Sequence, residues 1–144
     1  MLIGEYTHTL DSKKRLSLPV KFRKEVGRTV VVTRGLDQCL FLFPRRTWQE
    51  IASKLEQLPF GESTARGMSR FLLAGAVETE VDGAGRILIP DFLKDFAKLG
   101  ASVVLAGVSD RVEIWNESTW AAYKRRIEKG ADHMAQTLGD LRIL

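Results

Sequence analysis

The chain states one motif twice. Residues 8–19 read HTLDSKKRLSLP and residues 79–90 read TEVDGAGRILIP, so Asp11 aligns with Asp82, Arg15 with Arg86 and Pro19 with Pro90 at a constant offset of 71 positions. The correspondence continues past the proline: VKFRKEVGRTVVVTRGLDQCLFLFPRRTWQEI in the first copy runs parallel to DFLKDFAKLGASVVLAGVSDRVEIWNESTWAAYK in the second. Two copies fall short of the roughly three repeats that a solenoid needs to bury a continuous core. The expected solution is therefore that the copies pair with each other as an internal pseudo-dimer.

Each copy reads strand, hairpin loop, strand, short helix, strand, turn, strand, helix, which makes the chain a β-rich α+β protein with peripheral helices. β-branched and aromatic residues cluster in TVVV (29–32), CLFLF (39–43), SVVLA (102–106) and RVEIW (111–115), the composition of half-buried or buried strands. Thr47 and Glu50 form a capping-box pattern ahead of Trp48, Ile51, Ala52, Leu55 and Leu58, and Pro59 closes that helix. The copies and their following helices span 1–59 and 77–130. Residues 60–76 are expected to form a connecting helix with Met68, Phe71, Leu72 and Gly75 on one face. Gly130 is expected to break the last helix and leave 131–144 as a tail.

The duplicated loop carries the chemistry. In VDGAGRILIP, Gly83 and Gly85 permit positive φ without steric cost, and Asp82 can accept hydrogen bonds from amides about two residues on. Asp11 takes the same part in the first copy. There Lys14 stands where the second copy has Gly85, so a shared backbone would hold a lysine in the left-handed region at about 1–2 kcal/mol. Strand alternation buries Leu16 and Leu18, and Ile87 and Ile89, leaving Arg15 and Arg86 at the loop edge. An unpaired buried guanidinium is costly, so each arginine should pair with the aspartate of its own loop or project outward.

Two arginine-tipped hairpins on paired modules suit the DNA major groove, which admits a two-stranded ribbon and offers guanine O6 and N7 to a bidentate guanidinium. Lys13 and Lys14 in the loop, and Lys21, Arg23 and Lys24 just after it, are then candidate phosphate contacts that position without specifying. The charge distribution agrees. Residues 1–70 hold 13 basic and 7 acidic side chains, whereas residues 71–144 hold 9 and 11. The basic run at 123–129 reads as a solvated helix face, with a further DNA contact as the alternative.

Other classes of function find little support. The two histidines, His8 and His133, lie far apart and have no partners at metal-ligand or triad spacing, so no catalytic residue, metal, cofactor or small-molecule substrate is expected. The DGAGR loop leads into a strand, and a phosphate cradle needs a helix N-terminus. Cys39, the single cysteine, sits in the apolar run QCLFLF and reads as a buried small side chain. Trp48, Trp115 and Trp120 read as core or subunit interface, and no aromatic pattern marks an RNA-binding sheet. No apolar run approaches the roughly 20 residues that cross a bilayer, and the N-terminus lacks the order of a signal peptide, so a cytoplasmic protein is expected.

With GEYTHTLDSKKRLSLPVKFR, DGAGRILIP and the spacing between them, the chain resembles the MraZ family of bacterial transcriptional regulators, built from two SpoVT-AbrB-type modules. The resemblance implies two swapped-hairpin modules packed as a pseudo-dimeric β-barrel within one chain, and chains assembled into a closed homo-oligomeric ring. It implies a nucleoid-associated protein that binds short direct repeats in double-stranded DNA upstream of a cell-division and cell-wall gene cluster that includes its own gene. The family's DNA-contacting arginines carry over by position to Arg15 and Arg86, and the sequence departs from the family at Lys14, where glycine is usual. The alternative is an antitoxin-like protein-interaction module with no specific DNA site.

Overall fold

The structure, a computed structural model, describes residues 1–144. Eight strands form in chain order: β1 (Leu2–Thr9), β2 (Arg15–Ser17), β3 (Thr29–Arg34), β4 (Leu40–Pro44), β5 (Val77–Glu80), β6 (Arg86–Leu88), β7 (Ser102–Ser109) and β8 (Val112–Asn116). The helices are α1 (Val20–Val26), α2 (Arg45–Glu56), α3 (Ser63–Ser69), α4 (Asp91–Phe96) and α5 (Glu117–Asp140), with a π-helical turn over Arg70–Ala74. Six strands make one antiparallel sheet in the order β1-β7-β8-β4-β3-β5, and β2 and β6 make a separate antiparallel ribbon.

That order is unchanged when the copies are exchanged and the sheet is read from its other end, because β1 corresponds to β5, β7 to β3 and β8 to β4. The symmetry is visible residue by residue. At the centre of the sheet Phe41 faces Glu113, between Leu40 facing Ile114 and Leu42 facing Val112. At the centre of the ribbon Leu16 faces Ile87, its own counterpart in the repeat. The Leu18 amide donates to the Gly85 carbonyl at 2.9 Å and the Ile89 amide to the Lys14 carbonyl at 2.8 Å, one bond and its repeat-related image. Each copy's opening strand pairs with a strand of the other copy: β1 with β7 along its whole length, and β5 with β3. Neither copy completes its sheet alone.

The apolar runs are continuous because both sheet faces are covered. Val30, Val32, Leu42, Leu105 and Ile114 point towards the ribbon and meet Leu16, Leu18, Phe22, Ile87, Ile89 and Leu93 in one buried cluster. The intervening positions face the other way. There Trp115 stacks with Trp120 and Tyr123 of α5, at ring distances of 5.3 and 5.1 Å, over buried Cys39 and Val104. Phe43 meets Trp48 of α2 at 5.7 Å in the matching place on the first copy. Burial pushes the Cys39 thiol far above its usual range, and its Sγ donates to the Leu36 carbonyl.

The structure differs from two of the sequence expectations. The helix after β4 begins directly at Arg45, so Thr47 lies inside it and no capping box forms. Pro44, at φ −55°, already has the dihedral that a strand end needs to run into a helix. The matching helix α5 is capped by Asn116, whose side chain accepts from the Ser118 and Thr119 amides at 2.9 and 3.1 Å. Gly130 does not break α5, which runs on to Asp140. A mid-helix glycine costs about 1 kcal/mol relative to alanine, and the helix formers around it, Lys129, Ala131, Met134, Ala135 and Leu138, outweigh that. The connecting segment is α3 followed by the π-helical turn. The carbonyls freed at that turn are taken by Arg34, whose Nε and Nη2 donate to Phe71 at 3.1 and 2.9 Å, and by buried Thr33, whose hydroxyl donates to Leu72 at 2.7 Å.

Candidate nucleic-acid interface

The two loops are built on the same hydrogen bonds. In the first, Asp11 Oδ1 accepts from the amides of Lys13 at 2.8 Å and Arg15 at 2.9 Å. In the second, Asp82 Oδ1 accepts from the amides of Ala84 and Arg86, both at 2.9 Å. The backbone closes each loop identically, Lys14 N donating to Asp11 O and Gly85 N to Asp82 O. Lys14 does adopt the left-handed conformation, φ 62°, and Gly85 matches it at φ 78°. Both aspartates are held below the ordinary carboxylate range: Asp11 by the Arg15 amide, then the Lys13 amide and the Arg86 and Arg15 charges; Asp82 by the Arg86 amide, then the Ala84 amide and the Arg86 side chain. At neutral pH both are charged and locked into their loops.

The arginines take the two expected courses, one each. Arg86 Nε donates to Asp82 Oδ2 at 3.1 Å, closing its own loop, whereas the Arg15 guanidinium makes no ion pair or hydrogen bond within the protein. The ribbon puts them on one face. Arg15 pairs with Leu88 and Ser17 with Arg86, so these four side chains lie on the side opposite buried Leu16 and Ile87. Diagonal positions of this kind are about 7–8 Å apart, close enough for both guanidiniums to enter a groove about 12 Å wide. Leu88, half exposed, sits on the same face.

The remaining predicted residues divide into free and tethered cations. Lys13, Lys21 and Lys24 are exposed and their side chains have no partner. Lys14 Nζ reaches across to Asp91 at the start of α4 in the other copy, 2.6 Å away. That pair is largely exposed and worth about 0–1 kcal/mol, so Lys14 remains exchangeable. Arg23 serves the loop of the opposite copy. Its Nε donates to the Leu18 carbonyl at 2.7 Å, and its guanidinium lies directly on Gly85, filling the space a Cβ there would need. Gly85 is thus favoured by its positive φ and required by this close approach, while Gly83 stands in open space.

Sequence reasoning missed Arg28. It stands just before β3, and its exposed, unpaired side chain lines an open groove with Arg23, Val81, Asp82, Gly83 and Gly85. The signal was present in the repeat, where Ala101 occupies the matching place in the second copy. The run at 123–129 lies on α5, which packs against β7 and β8: Lys124 pairs with Glu5 of β1 and Arg126 lies over the Tyr123 ring.

Comparison with known proteins agrees with this architecture. The family model described as "MraZ protein, putative antitoxin-like" matches twice, over residues 1–71 and 72–141. A protein named transcriptional regulator MraZ from Thermoanaerobacter sp. (strain X514) is 46% identical over 143 residues, 99% of this chain and 100% of the relative. Those of Desulforamulus reducens and Carboxydothermus hydrogenoformans are 45% identical over 141 residues and 43% over 140, covering 98% and 97% of this chain and 99% and 98% of theirs. Two matched modules that meet at the connecting segment, and full-length relatives of this similarity, establish that the chain belongs to the MraZ family.

Proposed function

We propose that this protein is a sequence-specific DNA-binding transcriptional regulator whose reading head is the β2–β6 ribbon with its two loops. The observation that carries the reading is the ribbon itself: Arg15 and Arg86 project from one face of a pseudo-symmetric strand pair, on loops made rigid by Asp11 and Asp82. A pair of guanidiniums carried on one face by preorganised loops suits bidentate contact with guanine edges, each such contact contributing about 1–3 kcal/mol of discrimination. Lys13, Lys21, Lys24 and exchangeable Lys14 supply phosphate contacts. The names of the relatives support regulation of transcription. The exchange of strands between copies supports the swapped-hairpin, pseudo-dimeric barrel that the family resemblance implies.

The DNA target in this reading is a set of short direct repeats upstream of the division and cell-wall gene cluster, including the protein's own gene, bound by a closed ring of chains. Assembly answers an energetic need, since holding several reading heads together raises avidity by about 10²–10⁴ without new contacts. The helix α5 supports self-assembly: Ile127, Ala131, Met134, Leu138 and the capping residue Leu141 just beyond its end recur at alternating four- and three-residue steps, and from Ala131 onward every residue is exposed. No helix is long and apolar enough to cross a membrane, and the protein acts at the nucleoid in the cytoplasm.

Titration of a labelled duplex from the gene's own upstream region, beside a scrambled duplex of equal length and at two salt concentrations, tests the proposal. Selective binding to the upstream duplex at both salts is expected. Equal, weak and salt-sensitive binding to both would sink it and favour a protein partner instead.

A further inference from the structure

The two reading loops are not equally supplied with cations. The first loop carries Lys13 and Lys14 in its own tip, where the second has Ala84 and Gly85. The second lies instead against a groove of about 430 Å³ whose wall includes two arginines from the first copy, Arg23 and Arg28. Arg23 is held in place by the Leu18 carbonyl and packs on Gly85. Arg28 is exposed and has no carboxylate or carbonyl partner. Its backbone is anchored at the foot of the loop, where its carbonyl accepts from the Val81 amide at 2.8 Å. The groove also contains the Asp82 carboxylate, but both its oxygens are engaged, Oδ1 by two loop amides and Oδ2 by Arg86. The Gly83 amide, in contrast, finds no acceptor within the loop.

We propose that this groove is a binding site for a DNA backbone phosphate beside the second loop, with Arg28 the contacting group, Arg23 the fixed wall and the Gly83 amide a further donor. The inference rests on the DNA-binding reading and extends it to a residue on no motif. It also accounts for the repeat's asymmetry: each loop has a phosphate anchor, in the loop itself for the first copy and borrowed from the first copy for the second. Ala101, which replaces Arg28 in the repeat, marks the place where no borrowed anchor is needed. A phosphate contact positions a protein without reading sequence, so Arg28 should contribute equally on every duplex.

The test measures binding of the full-length protein, the Arg28→Ala and Arg28→Lys variants, and a charge control, Lys54→Ala on the exposed face of α2, to the upstream and scrambled duplexes from 50 to 200 mM salt. One lost phosphate contact lowers the slope of log affinity against log salt by about 0.9 per chain, so this fourfold salt rise costs Arg28→Ala about 3.5-fold less than it costs the wild type. Arg28→Ala is expected to weaken both duplexes by the same factor, Arg28→Lys to keep the slope, and Lys54→Ala to match the wild type. A wild-type slope for Arg28→Ala, or an equal loss from Lys54→Ala, overturns the phosphate site and leaves the reading head standing. Loss confined to the upstream duplex overturns it also, since Arg28 would then read bases. A wild-type protein that binds neither duplex overturns the site and the DNA-binding reading together.

Discussion

Replacing Arg15 and Arg86 together by alanine is expected to remove selective binding to the upstream duplex while leaving the fold and assembly intact. Two bidentate guanine contacts at about 1–3 kcal/mol each predict a loss of at least about 30-fold in affinity for the specific site. Binding to the scrambled duplex should fall far less, because the lysines proposed as phosphate contacts remain. Stability should hardly change. Arg15 has no partner in the protein, and the Asp82–Arg86 pair is exposed enough to contribute only about 0–1 kcal/mol. The pairing of Asp82 with the loop amides persists without Arg86, so the loop keeps its shape. Duplex titration, with sedimentation and thermal melting of the same samples, separates these effects. A double variant that binds as selectively as the wild type would mean that the arginines only finish the loops.

The second large effect is on stability. Leu16 and Ile87 face each other where the pseudo-two-fold axis crosses the ribbon, and both are essentially inaccessible to solvent. Truncating either to alanine leaves a cavity between ribbon and sheet and should cost about 2–5 kcal/mol, lowering Tm by about 5–15 °C for a chain of this size. Because they touch, the double variant should depart from additivity by about 0.5–3 kcal/mol. Leu88→Ala, one residue along on the exposed face, should cost less than about 0.5 kcal/mol. The interleaved strands also predict a single unfolding transition for the wild type in both urea and heat. Two transitions would mean that the copies fold independently, against the pairing of β1 with β7 and β5 with β3.

Much of this architecture is legible because the sequence repeats. An offset of 71 positions is enough to align the loops, the ribbon strands and the prolines, and period-two alternation assigns Leu16, Leu18, Ile87 and Ile89 to the core, where they lie. The left-handed backbone of Lys14 follows from the same alignment. What a linear pattern does not carry is the traffic between copies. Arg23 reads as a phosphate contact near its own loop, and only the antiparallel pairing of β2 with β6 carries it to Gly85. Lys14 meets Asp91 for the same reason. Local pattern also misplaces the α2 start, since a capping box is a statistical signature and Pro44 offers a shorter route from strand to helix. Gly130 taken by its own propensity suggests a break, although its neighbours decide the matter.

In the proposed reading, the ribbon and its two loops are the surface that meets DNA. Hydrogen–deuterium exchange of the full-length protein, with and without the upstream duplex, tests it most directly. DNA is expected to slow exchange chiefly in residues 11–18 and 82–89, with a smaller effect around Arg28, and to leave α2 and α5 unchanged. Protection confined to α2 or α5, with both loops exchanging as in the free protein, would contradict it.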